Sequence, residues 1–330
     1  MANQIGIESY IQHADIASFA ENRVNLGRDD AKGYREQVNR LRERLAEYIR
    51  DNPDYSLVKM LHSGSVMKGT ALKTVNDMDV AVYIQPSEET VDERRLLLWL
   101  VDRLREVYPQ MGSDQFNARD HCVAISFAGS GLDVDVAPVI YEGDSQDRGY
   151  LIVKDTGERV LTSIPLHLDF IRRRKDAQPR HFAQVVRLMK WWVRERKSAD
   201  ESFRFKSFMV ELLCAHLADE GLKMSDYPSA LQATFAYIVR TGLRERIYFT
   251  DYYKASALPS AGRAVMEIFD PVNPDNDVAA KYTDSDRERI IEASKDALDA
   301  LTEARYATTQ ERAIAMWQVV LGPAFRGKES

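Results

Sequence analysis

The segment Asp77-Met78-Asp79-Val80-Ala81-Val82-Tyr83 constrains this chain more than any other. Successive side chains of a strand point to opposite faces, so Met78, Val80 and Val82 form one apolar row while Asp77 and Asp79 share the other face. The chain must build a sheet with one face on a core and two carboxylates side by side on the other. Adjacent carboxylates repel and lose hydration, an arrangement that a divalent cation between them makes tolerable. Magnesium takes oxygen ligands and is typically held by one or two carboxylates plus substrate phosphates.

A second acidic strand, Gly131-Leu132-Asp133-Val134-Asp135-Val136-Ala137-Pro138, repeats the pattern with Asp133 and Asp135 on one face. Asp135 added to Asp77 and Asp79 makes three carboxylates, enough for two ions about 3.5–4 Å apart that activate a hydroxyl and neutralise a leaving pyrophosphate. Upstream, Leu61-His62-Ser63-Gly64-Ser65 ends a strand in Gly-Ser, with eleven residues between Ser65 and Asp77. Gly64 and Ser65 there offer backbone N–H groups and a hydroxyl to phosphate oxygens with no Cβ in the way. Taken singly, Asp-x-Asp in an acidic chain reads as a solvated strand face and Gly-Ser as an ordinary turn. Their co-occurrence at this spacing, with the second acidic strand, points to a triphosphate-and-metal cradle.

The surrounding texture organises the chain into two lobes. After Asp29-Asp30, a candidate cap, Tyr34, Val38, Leu41, Leu45 and Ile49 recur at helical spacing, and Asn52-Pro53 ends the pattern. Strands are expected over Val58–Leu61, Met78–Ile84, Val123–Phe127 and Leu132–Val136, the last two a hairpin around Gly129-Ser130-Gly131, with a helix over Asp92–Val107. Three or four strands among helices make an α/β lobe, assigned with the N-terminal helix to residues 1–160. Residues 161–330 read as mainly helical, over His181–Arg196, Ser207–Leu217, Pro228–Val239, Asp286–Ala304 and Thr309–Leu321, with an irregular stretch from Phe269 to Asp277.

Composition bounds the function. The longest tight apolar run, Leu96–Val101, is six residues, where a membrane span needs about 20. Met1–Gly6 lacks the basic start and apolar run of a secretory signal, and Cys122 and Cys214 make neither a disulfide framework nor a zinc cluster, so buried, reduced thiols in a cytoplasmic protein are expected. A net charge of −6 disfavours obligate, sequence-blind binding to long nucleic acid but leaves room for a basic cleft around a nucleoside triphosphate. Arg187, Lys190 and Arg194 lie near one face of the helix from His181, opposite its apolar stripe; Lys190 is a candidate phosphate clamp, whereas Arg187 and Arg194 fit a solvated face. Ser207 either presents its N–H and hydroxyl to phosphate or is an ordinary N-cap. The run Arg172-Arg173-Arg174-Lys175 is expected at the surface. No His spacing suits a metal, and no catalytic triad is legible.

Gly64-Ser65 followed by Asp77-Met78-Asp79-Val80 resembles the signature of DNA-polymerase-β-like nucleotidyltransferases. Val134-Asp135-Val136-Ala137-Pro138 resembles their third-carboxylate strand. Val186–Trp192 resembles the helix whose lysine reaches the triphosphate, and Phe205–Leu212 the next helix, whose serine also touches it. Asp270–Ala279 resembles a loop shared by oligoadenylate synthetases and archaeal CCA-adding enzymes. Arg35-Glu36-Gln37, Lys68–Leu72, Leu132–Asp135 and Ser163–Ile171 extend the likeness to bacterial cGAS/DncV-like nucleotidyltransferases of CBASS anti-phage systems, nearest to members that make cyclic tri-adenylate under HORMA-domain proteins and a Trip13-like ATPase.

The resemblance implies an α/β nucleotidyltransferase (DNA polymerase β-like) lobe with a mainly α-helical C-terminal lobe, as in oligoadenylate synthetases. It implies ATP and other nucleoside triphosphates as substrates, two Mg²⁺ ions, and a cyclic di- or trinucleotide messenger that activates an effector nuclease. Nucleic-acid binding is left open but is not required. Carried over by position, Asp77, Asp79 and Asp135 become catalytic metal ligands, with Asp135 nearest the attacking hydroxyl. Gly64, Ser65, Lys190 and Ser207 hold the triphosphate, and Asn276 lies near the nucleotide. Asp133 is left as a supporting acid, and Asp277 stands where many relatives carry a second asparagine. Two alternatives differ in class: an RNA-directed terminal transferase of the CCA-adding type, and a catalytically silent nucleotide-binding regulator.

Overall fold

The computed structural model describes residues 9–50, 54–74, 77–87, 92–262 and 264–327. In chain order come α1 (His13–Phe19), a π-helical turn (Ala20–Val24), α2 (Arg28–Arg50), β1 (Tyr55–Ser63), α3 (Gly64–Lys68), β2 (Asp77–Pro86) and α4 (Leu96–Val107). Five strands follow: β3 (Phe116–Ala118), β4 (Val123–Phe127), β5 (Leu132–Tyr141), β6 (Gly149–Ile152) and β7 (Arg159–Thr162). The remaining helices are α5 (Ile164–Ala177), α6 (His181–Ala199), α7 (Ser207–Asp219), α8 (Tyr227–Thr241), α9 (Asp284–Arg305) and α10 (Gln310–Leu321). Two compact units result, Leu26–Arg172 and Met1–Asn25 with Arg173–Ser330. Among the described residues no helix is long and apolar enough to cross a membrane.

The first unit is a mixed sheet in the order β1-β2-β5-β4-β3, with β6 and β7 continuing from the far end of β5. β2 and β5 run parallel, and the other pairs are antiparallel. Alternation sorts the two faces. Met78, Val80, Val82 and Ile84 of β2 join Leu132, Val134 and Val136 of β5 in one core with Val38, Leu41, Leu45 and Ile49 of α2 and Leu96, Leu97, Leu100 and Leu104 of α4. Burying one such side chain contributes about 1.5–3 kcal/mol, so this face fixes the sheet against its helices. The opposite face carries a small cluster, Ala81, Tyr83 and Val139, at one end and the aspartates at the other. Pro138 is tolerated within β5 because it falls between the residues paired to β4, which end at Val136, and those paired to β6, which begin at Ile140.

The sheet is larger than the three or four strands expected. β3, β6 and β7 hold only three or four residues each, too few for an alternating pattern to stand out, and they form because β4 and β5 offer them partners. The hairpin of β4 and β5 and the long helix α2 appear as expected. Asp29 and Asp30 lie within the first turn of α2 rather than capping it, where their charge complements the helix dipole. The Asn52-Pro53 stop and the Met1–Gly6 opening lie outside the described residues. The helix expected from Asp92 begins as a 3-10 turn, Glu93–Arg95, with the Asp92 side chain accepting from the Arg94 N–H.

The second unit is built of helices on an aromatic core. Trp192 packs on Phe203 and Phe235, and Phe19 of α1 packs on Trp191 and Phe325. The segment before Leu26 therefore belongs with these helices, held also by paired amide hydrogen bonds between Asn25 and Gln184. The basic run at Arg172 is not wholly at the surface: Arg174 is buried and forms ion pairs with Asp219 and Asp251. Leu100 is fully buried, so Leu100→Ala is expected to destabilise the protein by about 2–5 kcal/mol in urea denaturation. A loss below about 1 kcal/mol would remove α4 from the core that supports the sheet.

Candidate active site

The parallel register pairs Asp77 with Asp133 and Asp79 with Asp135. Paired residues on neighbouring strands, about 4.8 Å apart, present their side chains on the same face. Four carboxylates thus form a two-by-two patch on the sheet face that the helical core leaves uncovered. On its other side Asp79 is paired with Ser63, the last residue of β1, so the Ser63-Gly64-Ser65 corner borders the patch.

Gly64 is required twice over. Its φ of +70° lies in the left-handed region, and a Cβ there would stand 1.6 Å from Asp79 Oδ2. The backbone of the turn lies directly against the carboxylate. Ser65 follows in the first turn of α3, and Gly69, also left-handed at φ 72°, closes that short helix.

Asp135 has two neighbours that no motif announced. Arg119 Nη1 donates to both of its carboxylate oxygens, at 2.9 and 3.0 Å. Burial raises the Asp135 carboxyl above the ordinary carboxylate range; Arg119 opposes this and the charge of Asp77 reinforces it. The Cys122 thiol hydrogen-bonds Asp135 and is pushed up to about 12, first by burial and then by that carboxylate. Both cysteines are free, but Cys122 is half-buried rather than buried, unlike Cys214. Arg119 and Cys122 reach Asp135 only because the turn between β3 and β4 folds beside β5. No spacing in the sequence relates Arg119 to Asp135.

The donor set is hard carboxylate oxygen, which suits a magnesium-type cation. Among the described residues no group of three or more His, Cys, Asp or Glu is arranged to hold a metal ion. A site of carboxylates that draws its remaining ligands from bound phosphates fits both facts.

The other predicted residues lie in the helical unit. Lys190 is not on an open helix face: its Nζ is 2.6 Å from Glu211 Oε1, and both side chains are almost wholly buried. Removing one partner of such a pair costs about 3–5 kcal/mol, which makes Glu211 as consequential for this helix pair as Lys190. Arg187 is half-buried, its guanidinium bonded to Gln184, whereas Arg194 is exposed and stacks on Trp191. Ser207 is exposed and is the first residue of α7, with Lys206 in the N-cap position, so it is not the N-cap itself. Asn276 serves its own loop, donating to Asp270 Oδ2 at 3.3 Å while Asp270 Oδ1 accepts from the N–H groups of Val272 and Asn273. Asp277 likewise accepts from the N–H groups of Ile268 and Ala279.

Comparison with known proteins adds a second line of observation. Residues 11–161 match the family described as the Second Messenger Oligonucleotide or Dinucleotide Synthetase domain. The chain is 51% identical over 318 residues to the cyclic AMP-AMP-AMP synthase of Escherichia coli strain MS 115-1, covering 96% of this chain and 99% of that protein. It is also similar to the solved structure of E. coli MS115-1 CdnC with ATP, at a TM-score of 0.87 and 50% identity, over 96% of this chain and 100% of that one. The structure of the E. coli MS115-1 CdnC:HORMA-deltaN complex matches with the same TM-score of 0.87 and 50% identity, over 96% and 99%.

The environment of Asp135 has a consequence for stability. A carboxyl whose folded-state pKa is raised favours folding below its unfolded value and loses that contribution as pH rises through the folded one. In EDTA, Asp135→Asn is therefore expected to melt at a higher temperature than the parent at pH 7, the gap closing as pH falls towards about 4. An equal or lower melting temperature at pH 7 would mean that the Arg119 contact outweighs burial.

Proposed function

The chain belongs to the Second Messenger Oligonucleotide or Dinucleotide Synthetase family, and from that membership we propose that it is a nucleotidyltransferase that joins ATP into cyclic AMP-AMP-AMP, a CBASS second messenger, releasing pyrophosphate. The observation that carries the chemistry is the register that sets Asp79 opposite Asp135. The full-length likeness to a cyclic AMP-AMP-AMP synthase supports the product.

In this proposal Asp77, Asp79 and Asp135 would hold two Mg²⁺ ions, and Asp135 would lie nearest the ribose hydroxyl that attacks the α-phosphate. The chemistry such ions would supply there is positive charge, to lower the pKa of that hydroxyl and to neutralise the leaving pyrophosphate. Asp133 adds negative charge beside Asp77. Gly64 keeps the turn free of a side chain against Asp79, so that backbone N–H groups and the Ser65 hydroxyl are available to phosphate oxygens. From the family membership alone we propose roles for Lys190 and Ser207 at the triphosphate and for Asn276 near the nucleotide; in the structure Lys190 is buried against Glu211 and Asn276 is bonded to Asp270. Repeated transfer lengthens a linear chain, and a bound chain closes on itself at high effective concentration.

The partners extend from the same membership. A HORMA-domain protein is the proposed direct partner, supported by the CdnC:HORMA-deltaN complex. A Trip13-like ATPase and an effector nuclease complete the proposed pathway, in the cytoplasm. The CCA-adding alternative is less well supported, since a relative named as a cyclic nucleotide synthase matches 96% of the chain. A silent regulator fits poorly with a chain that keeps Asp77, Asp79 and Asp135.

The test is incubation with ATP and Mg²⁺, with and without the HORMA-domain protein, followed by mass spectrometry and phosphatase resistance. Asp77→Ala combined with Asp79→Ala is expected to abolish the cyclic product with circular dichroism unchanged, and continued synthesis by the folded double variant would remove these carboxylates from the mechanism. Gly64→Ala is expected to lower the rate about a hundredfold, because its Cβ displaces the Asp79 carboxylate. An unchanged rate would show that the Asp79 position is not critical.

A further inference from the structure

We propose that Arg119 is a counter-cation of the metal-free centre, a positioning residue that holds Asp135 until a metal bound to nucleotide displaces it. The inference deepens, and rests on, the assignment of Asp135 as a metal ligand. Its basis is the geometry of the contact. One guanidinium nitrogen lies between the two Asp135 oxygens, 2.9 Å from one and 3.0 Å from the other, so it occupies the side of the carboxylate on which a cation would coordinate. The carboxylate cannot give both oxygens to Arg119 and also present them freely to a metal.

The backbone that delivers Arg119 is fixed. The Arg119 N–H donates to the Cys122 carbonyl at 2.8 Å, closing the turn between β3 and β4. Lys154, in the turn between β6 and β7, ties the same segment: its N–H donates to the Asp120 carbonyl at 2.8 Å and its Nζ to the Ala118 carbonyl at 3.0 Å. The side chain itself is about half exposed, at 48%, against 21% for Asp135. A rigid turn therefore carries a long cation that can leave for solvent without disturbing the sheet, while the carboxylate stays in its strand.

The physical reason for such a residue is the patch itself. Asp77, Asp79, Asp133 and Asp135 crowd one face of two paired strands, and without a cation their mutual repulsion acts against the β2–β5 pairing. A single positive charge on Asp135 relieves part of that repulsion when no metal is present. It also sets a competition. A divalent ion alone must evict Arg119, whereas an ion arriving with a triphosphate brings its own phosphate ligands and needs less from Asp135. The centre is thus built to take up metal together with nucleotide in preference to metal alone.

The experiment compares Mn²⁺ binding, without nucleotide, to the parent, Arg119→Gln, Arg119→Lys and the Asp77→Ala/Asp79→Ala double variant, by calorimetry and by electron paramagnetic resonance. Melting temperatures are recorded in EDTA and in Mn²⁺. Arg119→Gln is expected to bind Mn²⁺ roughly two- to fivefold more tightly than the parent, the size of one partly exposed ion pair. It is also expected to melt lower in EDTA and to regain the parent's melting temperature in Mn²⁺, whereas Arg119→Lys keeps affinity and melting temperature near the parent's. Unchanged or weaker Mn²⁺ binding by Arg119→Gln overturns the proposal. If the double variant at the same time loses Mn²⁺ binding, the carboxylate assignment stands and only the role of Arg119 fails. If the double variant binds Mn²⁺ as the parent does, the metal assignment fails and takes the proposal with it.

Discussion

The parallel pairing of β2 with β5 is the constraint on which the rest of the site depends. Eight consecutive residue pairs, from Asp77–Asp133 to Ile84–Ile140, lock the two strands in one register. Because side chains alternate, a slip of one residue would send Asp135 to the helical side and Val134 or Val136 to the open side. Burying a carboxylate beneath α2 and α4 and exposing valine in its place would cost far more than the pairing could tolerate. The core therefore selects the register, and the register gathers the acids.

Gathering acids creates a second requirement, for positive charge, and Arg119 meets it on Asp135. The helical unit shows a related economy inside its own core, where Lys190 is buried only because Glu211 is buried against it. Arg174 repeats the pattern with Asp219 and Asp251. In each case a charge that sequence patterning would place in water is held inside by a specific partner from another element.

Much of this was legible in the residues. The alternation through Met78, Val80 and Val82 shows which face of β2 is buried, and the Gly129-Ser130-Gly131 turn joins β4 to β5 as a hairpin. The spacing on α2 likewise identifies Val38, Leu41, Leu45 and Ile49 as core. The failures have physical causes. β6 and β7 are too short to carry a period of their own and exist as partners of β5 and of one another. Lys190 is expected as a phosphate clamp on the face opposite the apolar stripe, but spacing reports only one stripe, and α6 is buried over a wider arc that takes in Lys190. The segment before Leu26 gave no sign of packing with distant helices, since Phe19 meets Trp191 and Phe325 only in the folded chain.

By itself the sequence determined that two acidic strands each carry their carboxylates on one face, that a Gly-Ser turn precedes the first of them, and that helices dominate after residue 160. These are local properties, set by alternation and by the φ that glycine alone adopts with ease. Only the tertiary structure decided which aspartate stands opposite which, that Gly64 leaves no room for a Cβ beside Asp79, and that Arg119 answers Asp135. Those are contacts between residues far apart in the chain, and their energies depend on distance and burial, which exist only once the strands have paired and the core has closed.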